Sequence, residues 1–368
     1  MKNTKLWKLN ALVVIVLALV LALSALLGAC SSGTTTATST ATTSAKPVTL
    51  VFSTHEPGQG LYYDGFWKLW IAEIEKRTNG KVKIEAHFNG ELAGPPDAWD
   101  ALVNKTVDIS NVHLNNLPDK FPMTDVVGFT TYSLINYKPS RVMWELYNKY
   151  PQMQKELEEC HVMYIGSTYW TSLATTKKPV STLAEWKGMK SVGTGKWQNI
   201  RQEKLGCIPV SMGPMDILPS LQTGVVDGGP LGTLVILKDF GWGEFLPYVT
   251  HVRMQCIPLL IGMNKSVWNS LPADVQQALD GMREWTLDLH DSFFVKAEDQ
   301  LMPQLTAQYK TQFNRPSQDE LAKWDALDKP IWDDFAASLE AKGLPGKALV
   351  SDYIALEKKY SSSEYAPK

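Results

Sequence analysis

Between Val48 and Phe88 the hydrophobic period changes from that of a strand to that of a helix and back. That alternation limits the chain to layered α/β architectures. Residues 48–53 form a short apolar run of β type, and the turn Pro57-Gly58-Gln59-Gly60 follows it. Residues 62–77 place Phe66, Leu69, Trp70 and Ile74 at helical spacing, and Thr78-Asn79-Gly80 stops the helix. Residues 81–88 then alternate, with Val82, Ile84, Ala86 and Phe88 on one face, as a half-buried strand does. The same reading predicts a helix over 97–103, a strand over 107–112 and one long helix over 140–157.

A second unit starts near Lys177-Lys178-Pro179-Val180. Here the pattern predicts strands over 188–192, 208–210 and 225–227, with helices over 197–205 and 215–221. From Ala273 the chain is helical to about Tyr309, and further helices are broken at Asn314-Arg315-Pro316-Ser317 and Gly343-Leu344-Pro345-Gly346. A βαβ rhythm of this kind predicts parallel sheets with helices on both faces.

The first residues read as an address. Lys2, Lys5 and Lys8 precede an uncharged apolar stretch over 11–27, which ends in Leu27-Gly28-Ala29-Cys30. Small residues before a cleavage point mark a secretory signal, expected here over 1–29. A cysteine directly after them resembles a bacterial lipobox, with Cys30 as the lipidated first residue of the mature chain. The competing reading, a transmembrane helix, has a span of marginal length and no stop-transfer charges after it. Residues 30–47 are mostly Ser, Thr, Ala and Gly, and are expected to form a flexible lipidated linker.

The remaining body, about 320 residues, is too long for one compact core and suits two lobes. A formal net charge of -2 gives no reason to expect a polyanion-binding surface. Cys160, Cys207 and Cys256 are too far apart for metal spacing or a disulfide framework and read as small core residues. No Gly-x-Ser-x-Gly, His-Glu-x-x-His or phosphate-loop pattern occurs. Neither an enzyme nor a cofactor is therefore expected.

Several short stretches resemble the solute-binding proteins of TRAP transporters, the DctP family. They are Thr78-Asn79-Gly80-Lys81-Val82, Asn89-Gly90-Glu91-Leu92-Ala93, Lys178-Pro179-Val180, Trp186-Lys187-Gly188-Met189-Lys190, Leu205-Gly206-Cys207-Ile208-Pro209-Val210 and Leu221-Gln222-Thr223-Gly224-Val225-Val226-Asp227-Gly228. Trp268 with Leu271-Pro272 completes the series in the family's order. The resemblance implies a two-lobe, type II periplasmic-binding fold with crossing strands and a long helix spanning both lobes. Lobe I is expected over 48–172 plus 258–300, and lobe II over 173–257 plus 301–360. The function it implies is capture of a small organic solute in the cleft and delivery to TRAP membrane subunits, with no nucleic-acid partner. A receptor for another importer or for a sensor, and a purely structural surface lipoprotein, are the alternatives.

The same resemblance places an arginine that grips carboxylates late in the strand after Gly188-Met189-Lys190, where this chain has Val192. A second family arginine has no counterpart near Trp170. The ligand is therefore expected to be neutral, aromatic or an acid held by other groups. By the family's layout the cleft residues are His55, Tyr62, Asn111, His113, Trp170, Val192, Thr194, Trp197, Gly229, Pro230 and Leu231. Lys196, Arg201 and Arg253 are the cations available to replace the missing arginines, Arg201 lying one helical turn after Trp197. No metal ligand is assigned.

Overall fold

Two mixed sheets carry the fold, with strand order β2-β1-β3-β10-β4 in the first and β11-β9-β5-β8-β6-β7 in the second. The structure is a computed structural model and describes residues 46–361 apart from 118, 136, 194 and 232. The expected signal peptide, the linker as far as residue 45 with Cys30, and the site candidate Thr194 lie outside the described residues. In chain order the strands are β1 Val48–Ser53, β2 Val82–His87, β3 Ile109–His113, β4 Cys160–Ser167, β5 Thr171–Thr175 and β6 Lys190–Gly193. They continue with β7 Ile208–Ser211, β8 Gly228–Pro230, β9 Tyr248–Gln255, β10 Pro258–Asn264 and β11 Gln312–Asn314.

The expected βαβ units are present: β1 runs parallel to β2 and β3, and β6 runs parallel to β7 and β8. The sheets are not wholly parallel, however. β10 is antiparallel to both of its neighbours, and β5 is antiparallel to β8 and β9. These antiparallel strands are the crossings. β4 leaves the first sheet and continues as β5 in the second, while β9 returns as β10. At the crossover the Thr168 amide donates to the Ile257 carbonyl at 2.8 Å, and the Ile257 amide donates to Thr168 Oγ1 at 2.9 Å.

No strand was expected over β4, β5, β9 or β10. Every residue of β10 is buried, and in β4 only His161 is partly open. A strand covered on both faces has no polar side, so alternation is lost from its sequence. Two other boundaries differ from expectation. The helix predicted over 140–157 is two helices, Pro139–Lys149 and Pro151–Glu156, because Pro151 lacks an N–H and pushes Tyr150 into extended backbone. The strand expected over 225–227 lies at Gly228–Pro230, where glycine permits close approach: a Cβ on Gly228 would lie 2.2 Å from the Ala174 carbonyl oxygen.

Two helices share their residues between separate cores. In Arg283–Tyr309, Leu287 packs with Phe52, Trp70 and Ile261, whereas Phe294, Leu301 and Leu305 pack with Val192, Leu234 and Val249. In Gln318–Glu340, Leu321 and Trp324 join Trp186 and Leu205, while Ile331, Phe335 and Leu339 join Phe129, Val142 and Ile165. Leu349 and Tyr353 of the last helix also pack in that core. Each of these two helices presents an apolar stripe long enough to reach two cores.

Arg201 and Arg253 are buried, not solvated charges. Arg201 is 1% exposed; its Nε donates to Asp328 Oδ2 at 2.6 Å, and its terminal nitrogens donate to the carbonyls of Gly128, Thr130 and Met254. Arg253 is paired with Glu357, itself fully buried. These guanidiniums tie the 128–130 segment, β9 and the C-terminal helices together. A buried pair is costly to break because the remaining charge has no water. Asp328→Ala is expected to lower unfolding free energy by about 3–5 kcal/mol, read from urea denaturation; a loss below about 1 kcal/mol would contradict the role assigned to the pair.

Candidate functional site

Parallel pairing of β1 with β3 brings their carboxyl ends to one sheet edge, the place where open α/β sheets bind ligands. Thr54, His55 and Glu56 leave β1 there, and Asn111 and His113 end β3. Thr54 Oγ1 accepts from the Glu56 amide at 3.2 Å and from Asn111 Nδ2 at 3.2 Å, so the loop and the strand end are locked together. Trp67 Nε1 donates to Glu56 Oε2 at 2.6 Å, while Glu56 Oε1 lies 3.3 Å from His113 Nε2. The His55 ring meets His113 edge-on, with centroids 4.3 Å apart.

Burial governs the charges in this cluster. It lowers His55 to about 3, helped by His113 and opposed by Glu56. His113 falls to about 4 through burial. Burial raises Glu56 to about 6, against the opposing influence of His55, Trp67 and Asn111. Both imidazoles are therefore neutral near pH 7, each with one nitrogen lone pair.

Tyr62 stands next to this cluster and packs against both the first-sheet and second-sheet cores. Its ring lies 5.3 Å from Phe294, which stacks on Tyr169 beside the crossing strands at 6.0 Å. Its hydroxyl is 3.1 Å from His290 Nε2, and His290 Nδ1 is 3.1 Å from Ser140 Oγ. Ser140 donates to the Ser167 carbonyl at 3.0 Å and accepts from Tyr164 at 2.9 Å. With its one proton so committed, Ser140 must accept from His290, which assigns the proton to Nδ1 and makes Tyr62 the donor to Nε2.

A small crevice, with about 40 Å³ open to the centre of a water-sized sphere, lies alongside the crossover, with Cys256, Ile257 and Pro258 in one wall. Asn115, Asp125, Lys196, Trp197, Gln198 and Gln255 also line it. Trp197 leans on Phe129 and Phe335, and Lys196 Nζ lies 5.2 Å from the centre of the Trp197 ring. Gln198 Nε2 donates to the Gly128 carbonyl at 2.5 Å. Burial raises Asp125 to about 7, with Asp119 adding to the rise and Lys342 and Lys196 opposing it. An indole wall, three amide side chains and an ammonium group suit a small polar or aromatic solute.

The structure thus distributes the expected site residues. His55, Tyr62, Asn111 and His113 come together at the first sheet's edge, and Trp197 lines the crevice. Trp170, Val192 and Leu231 are 2%, 0% and 1% exposed and share one hydrophobic core. Gly229 and Pro230 are buried in β8, where a Cβ on Gly229 would come within 2.9 Å of the Val192 amide nitrogen. Sequence reasoning missed Glu56, His290, Gln198 and Gln255. Glu56 was detectable beside His55 in the same loop. His290 was not, because a lone histidine inside a long helix gives no sign of the chain segments packed on it.

Burial lowers His290 to about 3, and His113 adds to the effect. A histidine depressed in the folded state contributes stability that is fully present above its unfolded value near 6.5 and lost as pH falls towards 3. His290→Gln should therefore lose about 3 kcal/mol less between pH 7 and pH 4 than the unaltered chain. Urea denaturation at the two pH values measures this, and equal losses would contradict a buried neutral imidazole.

The family model for DctP, bacterial extracellular solute-binding protein family 7, matches residues 52–339. The chain is 23% identical over 280 residues to the C4-dicarboxylate-binding periplasmic protein DctP of Rhodobacter capsulatus, covering 73% of this chain and 80% of that protein. A TRAP solute-binding protein from Rhodoferax ferrireducens, solved with copurified benzoate, superposes with a TM-score of 0.79 at 20% identity, covering 85% of this chain and 98% of that one. A marine metagenome TRAP protein specific for aromatic acids, solved with metahydroxyphenylacetate, gives 0.77 at 23% identity, covering 86% and 100%. At these identities the structural likeness carries the fold, a two-lobe type II arrangement.

Proposed function

Since this chain belongs to the DctP family of TRAP-type bacterial extracellular solute-binding proteins, we propose that it captures an aromatic or neutral organic solute in the crevice beside its crossing strands and passes it to TRAP membrane subunits. The observation that carries this reading is the placement of the crevice: its wall is the Gln255–Pro258 segment that joins the two sheets. A solute bound there touches the segment about which lobes can turn, so binding energy can favour the closed form. The site binds and releases without chemistry, and no reaction step is assigned to it.

The choice of solute follows from the cations. Val192, at the position where relatives are expected to carry the gripping arginine, is a core residue with no exposure. Arg201 and Arg253 are held in buried ion pairs. Lys196 is exposed, and it is the cation that lines the crevice. A dicarboxylate would leave one charge without a guanidinium, at several kcal/mol of desolvation cost. An aromatic ring can rest on Trp197 while Lys196, Gln198 and Asn115 meet a single polar end. The aromatic ligands of the two structural relatives favour the same class. We further propose that Cys30 carries a lipid that tethers the protein outside the cytoplasm. Among the described residues no helix is long and apolar enough to cross a membrane.

Benzoate and 3-hydroxyphenylacetate, each at a hundred times its dissociation constant, should raise unfolding free energy by about 2.7 kcal/mol, whereas succinate should not. Lys196→Ala should weaken benzoate about tenfold with little loss of stability. Succinate stabilisation equal to that of benzoate would overturn the solute class. Absence of any carried-along or added small molecule, by native mass spectrometry and melting shifts, would overturn the receptor reading.

A further inference from the structure

His55, Glu56 and His113 offer two imidazole nitrogens and one carboxylate oxygen that all lie within 4.8 Å of one another. We propose that these three residues form a binding site for a borderline divalent metal ion of the zinc type. Two imidazoles and a carboxylate are a donor set that such ions prefer, and three protein donors leave a fourth position for an outside oxygen donor.

Three observations support the assignment. First, a tetrahedral ion about 2 Å from each donor separates the donors by about 3.3 Å, and Glu56 Oε1 already lies 3.3 Å from His113 Nε2. Second, the carboxylate is oriented from behind. Trp67 Nε1 occupies Glu56 Oε2, and Thr54 Oγ1 holds the Glu56 amide, which turns Oε1 towards the two histidines. Such outer-shell hydrogen bonds fix the geometry of ligating groups. Third, the donors sit on well-supported elements: His113 ends β3, and His55 follows β1 in the same sheet. Side-chain exposures of 13% for His113 and 10% for Glu56 place the cluster just beneath the surface. One competing histidine is His87, flanked by Glu85 at 3.2 Å and Glu91 at 3.1 Å, with one imidazole where the proposed site has two.

None of the three donors lines the crevice, and the proposal does not depend on the solute reading. Calorimetric titration of the full chain with zinc chloride, after dialysis against a chelator, should show one ion per chain. His55→Ala and His113→Ala should each weaken binding at least tenfold, and His87→Ala should leave it unchanged. Cobalt(II) added to the unaltered chain should give the visible bands of a four-coordinate ion, a readout that needs no variant to fold. Circular dichroism and melting confirm that the variants are folded. Lack of stoichiometric zinc or cobalt binding by the unaltered chain would overturn the proposal. So would zinc binding that persists in both histidine variants or disappears in His87→Ala.

Discussion

The pair of hydrogen bonds between Thr168 and Ile257 fixes the point at which the two sheets become one protein. Above it β4 and β10 run antiparallel in the first sheet, and beyond it β5 and β9 run antiparallel in the second. The ladder thus passes from sheet to sheet through this bend as a two-stranded ribbon, with register shifts at Ile261/Gly262 on one side and Thr171/Leu173 on the other. A chain crossing twice at the same place permits rotation there while holding each sheet's register, which is the mechanical need of a protein that closes on a guest. The crevice lies against this bend, and Tyr62, Phe294 and Tyr169 pack an aromatic column next to it.

Charge is managed differently on the two sides of that bend. Arg201 and Arg253 lie deep among the C-terminal helices, with their carboxylates and backbone carbonyls as fixed partners. They hold together segments remote in sequence. The histidines at the first sheet's edge are instead kept neutral by burial, beside a single carboxylate. Neutral imidazoles can accept a proton or a cation, so that edge keeps a chemistry that the guanidinium braces lack. Lys196 meets the crevice from its own exposed position.

Local pattern made much of this legible. The strand-to-helix alternation from Val48 to Phe88 was clear because β1 and β2 lie away from the crossing and keep distinguishable faces. His55, Tyr62, Asn111 and His113 were brought together by the family's layout, and the structure places them at one sheet edge. Val192 was a visible departure as a residue type. Its full burial against Gly229 was not visible, because that depends on how closely β8 approaches β6. The four crossing strands gave no periodic signal, and Pro151 split a helix whose apolar spacing looked continuous.

The sequence by itself determined the α/β alternation, the family's word order and the lack of an arginine at position 192, since these are properties of residue type and local spacing. Only the tertiary structure decided that Arg201 is a brace, that the C-terminal helices serve two cores, and that Glu56 and His55 stand beside His113. Each of those outcomes rests on residues far apart in the chain: Arg201 and Asp328 are separated by 127 positions, and Glu56 and His113 by 57. No window of sequence contains such a pair, so its energy appears only once the chain has closed on itself.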